Sequence, residues 1–164
     1  MKRLAIVLWV AATTLCALAF PAASAVNATV PAHAVVKAAF NPTLKKTIIV
    51  DSRGFTLYMY SSDSPGQSAC YNDPTYHCSK VWPPLLTKAK PQAGKGAKAS
   101  LLGTIKRTGG GLQVTYKGHP LYTNAGAASA GLVKDTKAGD VHGQRFLEIW
   151  WVLTPAGARV TARP

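Results

Sequence analysis

Three side chains in the stretch CYNDPTYHC, namely Cys70, His77 and Cys78, are of the types that ligate soft metal ions. Free thiolates beside an imidazole would suit copper or zinc, which is the chemistry of a metal-handling or electron-transfer accessory protein. Two observations oppose it. His77 and Cys78 are adjacent, an awkward pair for one tetrahedral centre, and in an oxidising compartment two cysteines pair by default. A bridge closing so short a loop is worth roughly 2.5 kcal/mol in the chain-entropy account. Other chemistries find less support. Serine, histidine and aspartate all occur, but there is no Gly-x-Ser-x-Gly elbow and nothing ties Asp140 and His142 to a nucleophile. Asp51, Asp63 and Asp73 do not have the spacing of an EF-type calcium loop. The expectation is a non-catalytic protein without a cofactor.

Charge supplies a second candidate. The chain carries 19 basic and 6 acidic residues, a formal net charge of +13, which favours polyanions such as an acidic envelope polymer. The lysines of the stretch TKAKPQAGKGAKAS (Lys88, Lys90, Lys95 and Lys98), with Lys106 and Arg107, are the residues expected to make such contacts. No aromatic residue is interleaved with these charges, so specific nucleic-acid binding is not expected.

The elements that must position these groups begin after a leader. Residues 1–25 pair Lys2 and Arg3 with an apolar run and a small-residue end, Ala23-Ser24-Ala25. That pattern predicts a secretory signal peptide cleaved after Ala25 and no transmembrane segment in the mature chain, which is then secreted or periplasmic. Cys16 follows Leu15 where a lipid-attachment site wants a small residue. Residues 26–46 are alanine-rich with two prolines and predict a flexible lead-in, or else a short helix over 32–40 stopped by Pro42.

From Thr47 the residues turn β-branched and aromatic. Thr47–Val50 and Phe55–Tyr60 predict two strands around the turn Asp51-Ser52-Arg53-Gly54. The second strand is apolar on both faces, so both should be covered. A disulfide-pinned loop follows, then Trp82-Pro83-Pro84-Leu85-Leu86, with Trp82 read as a core plug. Residues 87–100 predict a solvated linker between repeats. Leu101–Ile105 and Leu112–Tyr116 predict a second hairpin, Lys117–Pro120 a turn into Leu121-Tyr122, and Phe146–Leu153 a last strand covered on both faces. The domain expected is one shared core over 47–155, with repeats at 47–86 and 101–155 and a tail at 156–164.

Placing Ile48 on Leu112 brings Val50, Gly54, Leu57 and Tyr58 onto Val114, Gly118, Leu121 and Tyr122. Each copy is a strand, a tight turn and a strand ending in Leu-Tyr, and two copies can bury what neither buries alone. The fold expected is mostly β: a small antiparallel sandwich or barrel of two diverged hairpin repeats.

At these residues the chain resembles a bacterial family of secreted or lipid-anchored repeat proteins defined by a Tyr-x-[Phe/Trp/Tyr]-x-x-Asp motif. Tyr58, Tyr60 and Asp63 fit it at every defined position. The lead Gly54 to Tyr58, the cysteine pair, Trp82 to Pro84, Gln113 to Gly118 and Gly139 to Gln144 are similar to further family segments, over about residues 47–153. The resemblance implies an envelope location and no settled biochemical role, with binding or scaffolding as the expectation. In the second copy Asn124 replaces the aromatic and Ala127 the aspartate, with Asp135 as a substitute after an insertion. Asp63 is expected to accept backbone N–H bonds in the turn after its strand, with Tyr58 or Tyr60 packed over it.

Overall fold

The computed structural model describes residues 31, 33–72 and 77–164; the leader, its cleavage site and Cys16 lie outside them. The first strand, β1 (Val35–Asn41), pairs antiparallel with β2 (Lys46–Asp51), Ala38 opposite Ile49. This corrects the expectation of a flexible or helical lead-in from residue 35 on; residues 26–30 and 32 lie outside the described residues. Val35, Val36 and Phe40 favour extended backbone, and Val36 is fully buried in the core.

The Lys/Ala/Gly stretch is not a solvated linker either. It lies along the far side of β1 as a parallel segment, with Gln92–Ala93 forming β5 and bonds from Gly94 N to Val36 O (2.8 Å) and from Ala38 N to Lys95 O (2.9 Å). The glycines permit the close approach. A Cβ on Gly94 would stand 2.9 Å from Lys37 Cβ, and one on Gly96 2.8 Å from Ala38 Cβ. Composition that suggests a spacer is here a requirement of packing.

After β2 the expected turn forms. Asp51 Oδ1 accepts the N–H groups of Arg53 and Phe55, both at 2.9 Å, and Gly54 takes the left-handed conformation with φ +93°. Thr56 returns to bridge Val50, and the chain then leaves for β3 (Tyr58–Tyr60), which pairs with β9 (Trp150–Val152). The second unit repeats the plan. Strands β6 (Leu102–Lys106) and β7 (Leu112–Tyr116) form a hairpin, and β8 (His119–Pro120) folds back on β7 through Lys117 and Gly118, both left-handed. Strand β4 (Leu86–Thr87) borders β7 on its other side. Strand β1 therefore stands beside β2 as β6 stands beside β7.

The architecture is mostly β as expected, and among the described residues it is built of three small sheets without a closed barrel. Alternation along the central strands divides the interior into two clusters. Ile48, Val50, Tyr58, Trp150 and Val152 enter one, with Trp82 and Tyr122; Ile49, Leu57, Met59, Trp151 and Leu153 enter the other, with Leu121 and Tyr116. The two-sided burial predicted for Phe55–Tyr60 and for the last strand is what the core uses, and β2 shares it. Two boundaries differ from expectation. Residues 146–148 form a 3-10 turn instead of the start of the last strand. The tail is packed: Val160 is buried in the first cluster, and Gln144 Nε2 donates to the carbonyls of Val160 (2.7 Å) and Ala162 (2.9 Å). Among the described residues no helix is long and apolar enough to cross a membrane.

Candidate functional site

The two units meet at equivalent residues. Tyr58 N donates to Tyr122 O and Tyr122 N to Tyr58 O, both at 2.9 Å. Around this bridge the contacts are reciprocal. Trp82 lies edge-on to Tyr58 (5.4 Å between ring centroids) and Trp150 edge-on to Tyr122 (5.2 Å), while the two tryptophans stack at 3.8 Å and 7°. The closing segments are exchanged. Leu85 of the first unit pairs with Val114 and Leu121 of the second, and Leu153 of the second accepts Ile49 N–H of the first at 3.0 Å. Trp82 is thus the core plug expected, and Trp150 is its partner across a pseudo-twofold.

The motif acids follow the same exchange. Asp63 accepts the hydroxyl of Tyr122 (3.0 Å to Oδ2) and the Ala69 N–H (2.7 Å), and Asp135 accepts the hydroxyl of Tyr58 (2.7 Å) and the His142 N–H (3.0 Å). Asp63 does take a backbone N–H, but the tyrosine over it is Tyr122 of the other unit, not Tyr58 or Tyr60. Asp135 occupies the acid's place in the degenerate copy, with Asn124 Nδ2 as an added donor at 3.3 Å. Burial pushes the Asp63 carboxyl up to about 6, although the Ala69 N–H, the Tyr122 hydroxyl and the Arg107 charge all act to lower it. Burial raises Asp135 as well, and burial together with the facing carboxylates keeps Tyr58 and Tyr122 protonated far above neutral pH.

Next to Asp63 a polar cluster is closed off from solvent. Arg107 is 7% exposed and donates to Ser68 Oγ (2.9 Å), to the carbonyl of Cys70 (2.6 Å) and to Gln113 Oε1, while its guanidinium covers the Tyr71 ring at 4.3 Å. Gln113 Nε2 in turn holds Leu121 O at 2.9 Å. Arg107 is therefore removed from the polyanion candidates, whereas Lys88, Lys90, Lys95, Lys98 and Lys106 are exposed. Its sequence context, a lysine before it and a turn after it, reads as surface. Only the packing of the loop at 68–71 against the second hairpin encloses it.

Cys70 and Cys78 form the disulfide, with S–S 2.04 Å and Cα atoms 5.2 Å apart. Both sulfurs are consumed, so the metal reading of Cys70, His77 and Cys78 loses its thiolates. His77 is exposed and starts the short helix α1 (Cys78–Val81), its carbonyl accepting Lys80 N–H at 2.8 Å.

A cavity borders the stacked rings of this junction. A groove of about 400 Å³ is lined by Tyr60, Val81, Trp82, Phe146, Leu147 and Trp150, with Ala127, Ser129 and Ala130 of the insertion along one side. Tyr60 stacks on Trp150 (4.4 Å, 12°), which stacks on Trp82, so three parallel rings make the floor. At the equivalent of Tyr60 the second unit has Asn124, and Phe146 packs against Trp82 instead, at 6.1 Å. The rim is strained. Arg145, Leu147 and Glu148 have φ of 62°, 50° and 56°, conformations that side chains beyond glycine seldom adopt. The Arg145–Glu148 ion pair (3.0 Å) clamps this turn and leaves Leu147 69% exposed beside the groove. Sequence reasoning found Tyr60 and Trp82 but not Trp150, because Trp-Trp-Val-Leu and Trp-Pro-Pro-Leu match only when the structure aligns them.

A family model described as a secreted repeat of unknown function matches residues 43–86 and 103–154, more than half of the chain and one segment for each unit. No curated protein and no solved structure matches it. The chain belongs to this family of secreted repeats of unknown function.

Proposed function

We propose that the protein is a non-catalytic binding component of the cell envelope, exported by a leader cut after Ala25 and acting in the periplasm or outside the cell. Its ligand site is the groove over the Tyr60, Trp150 and Trp82 stack. The observation that carries this reading is the pairing of an aromatic floor with a strained, exposed rim. Backbone strain persists where surrounding structure enforces it, and such places cluster at ligand clamps. The groove lies within the volume range of small-molecule sites and is lined mainly by apolar and aromatic groups, the hydroxyls of Tyr60 and Ser129 among its few polar side-chain groups. That lining suits an uncharged ligand with a flat apolar ring, selected by shape and contact rather than by the chain's charge. The titratable groups nearest the junction, Asp63 and Asp135, are engaged in holding tyrosine hydroxyls, which suits a scaffold more than a proton-transfer site.

The test is fluorescence titration of the purified mature protein with a neutral naphthalene fluorophore, read through Trp150 and Trp82. Saturable quenching in the wild type, weakened at least fivefold by Tyr60→Ala and by Leu147→Asp, supports the reading. Quenching that both variants leave unchanged places the ligand elsewhere and ends it.

A further inference from the structure

A second, larger cavity shares no lining residue with the groove. It is a cleft of about 650 Å³ between the first hairpin and the segment 137–140, with Ile48 and Val50 among its lining residues and Lys37, Arg53 and Lys137 around it. Both walls are fastened. Asn41 Nδ2 donates to Gly139 O (2.8 Å) and Thr56 Oγ1 to Asp140 O (2.6 Å), while Lys37 Nζ reaches across the hairpin to Ser52 O (2.8 Å). Arg53 lies against Asp51 (3.3 Å) and over the Phe55 ring (4.8 Å). The Asp140 carboxylate accepts the N–H groups of Thr136 (2.8 Å) and Lys137 (3.1 Å), a local arrangement that orders the turn carrying Lys137. Lys45 and Lys46, both exposed, continue the positive edge beyond Thr43.

We propose that this cleft binds a linear acidic polysaccharide. The cations Lys37 and Lys137 meet its carboxylates, Thr43 and Asp140 offer partners for its hydroxyls, and Phe40, Pro42 and the aliphatic lining meet the apolar faces of its sugar rings. A cleft lined by one prevailing charge focuses field more than scattered surface lysines do. That separates it from Lys88, Lys90, Lys95 and Lys98, which are exposed but line none of the described cavities. Concavity favours a polymer strand over a flat anionic membrane. Mixed lining distinguishes it from a site for a simple anion. The proposal stands independently of the aromatic groove.

The experiment is affinity electrophoresis of the mature protein in gels containing polygalacturonate, its fully methyl-esterified form, or no polymer, with flotation on phosphatidylglycerol vesicles as a separate arm. The wild type is retarded by polygalacturonate and not by the ester. Lys37→Gln with Lys137→Gln lowers the affinity at least tenfold, and Lys90→Gln with Lys95→Gln, the same loss of charge on the outer segment, lowers it less than threefold. Lys137→Gln alone, on an exposed turn, carries the test if the double variant does not fold. Equal weakening by the two pairs, equal retardation by the ester, no retardation of the wild type, or binding to vesicles alone overturns the proposal.

Discussion

Asp63 gives the protein an acid-favoured stability. Its carboxyl is raised from an ordinary value of 3.8 to about 6, burial being the largest cause. The folded state therefore holds this proton more tightly than the unfolded chain does. The associated stabilisation is fully present below pH 4 and is lost as pH rises through about 6. A tenfold change in proton affinity is about 1.4 kcal/mol, and because Asp63 is only half-buried solvent screening reduces the loss across that window to about 1–2 kcal/mol from this one group. Asp135, also raised by burial, adds to it in the same direction. Asp63→Asn isolates the effect. The amide oxygen can still accept one of the two bonds, and the Tyr122 hydroxyl can donate instead to Ser68 Oγ, which lies 2.8 Å away. Urea unfolding followed by tryptophan fluorescence from pH 4 to 7 should show wild-type stability falling relative to that of the variant by about 1–2 kcal/mol. Asp135 and the exposed carboxylates are common to both proteins and cancel. Parallel stability profiles for the two, or a wild type that gains on the variant as pH rises, would refute the reasoning.

Two further outcomes follow from packing. Gly143→Ala should destabilise by about 1–3 kcal/mol in urea unfolding, because the new Cβ would meet Trp82 Cη2 at 2.7 Å and Tyr58 Cε1 at 3.0 Å, atoms of two buried rings; an unchanged midpoint would show that the junction can relax. Arg107→Met should cost about 2 kcal/mol, since it leaves Gln113 Oε1 without its donor and the Cys70 carbonyl with only the Ser68 hydroxyl at 3.3 Å, both in a buried site. The neighbouring Lys106→Met, at an exposed position, should stay within about 0.5 kcal/mol by the same assay, and equal effects at the two positions would contradict the burial difference.

Much of the architecture was legible in residue order. The alternation in Leu57-Tyr58-Met59 and the apolar run Trp150-Trp151-Val152-Leu153 announced strands covered on both faces, and the structure assigns those faces to two core clusters. Asp51 and Gly54 specified a turn because side-chain acceptor and left-handed backbone are local properties. The cysteine pair is a local property as well, closed within one loop. Strand β1 was missed because alanine says little by itself. Ala38 and Ala39 become strand residues once Gly94 and Gly96 can lie flush against β1.

What the sequence by itself determined, then, was what neighbours along the chain can settle: strand periodicity, turn chemistry, the disulfide loop and the likeness of Tyr58 to Tyr122. Which acid serves which tyrosine was decided only in three dimensions, since each unit lends its aspartate and its closing leucine to the other. Burial of Arg107 and the gathering of Lys37 and Lys137 at one cleft belong to the same class. The physical reason is that desolvation and charge proximity depend on distance through space, and a pseudo-twofold exchange brings together residues far apart in the chain.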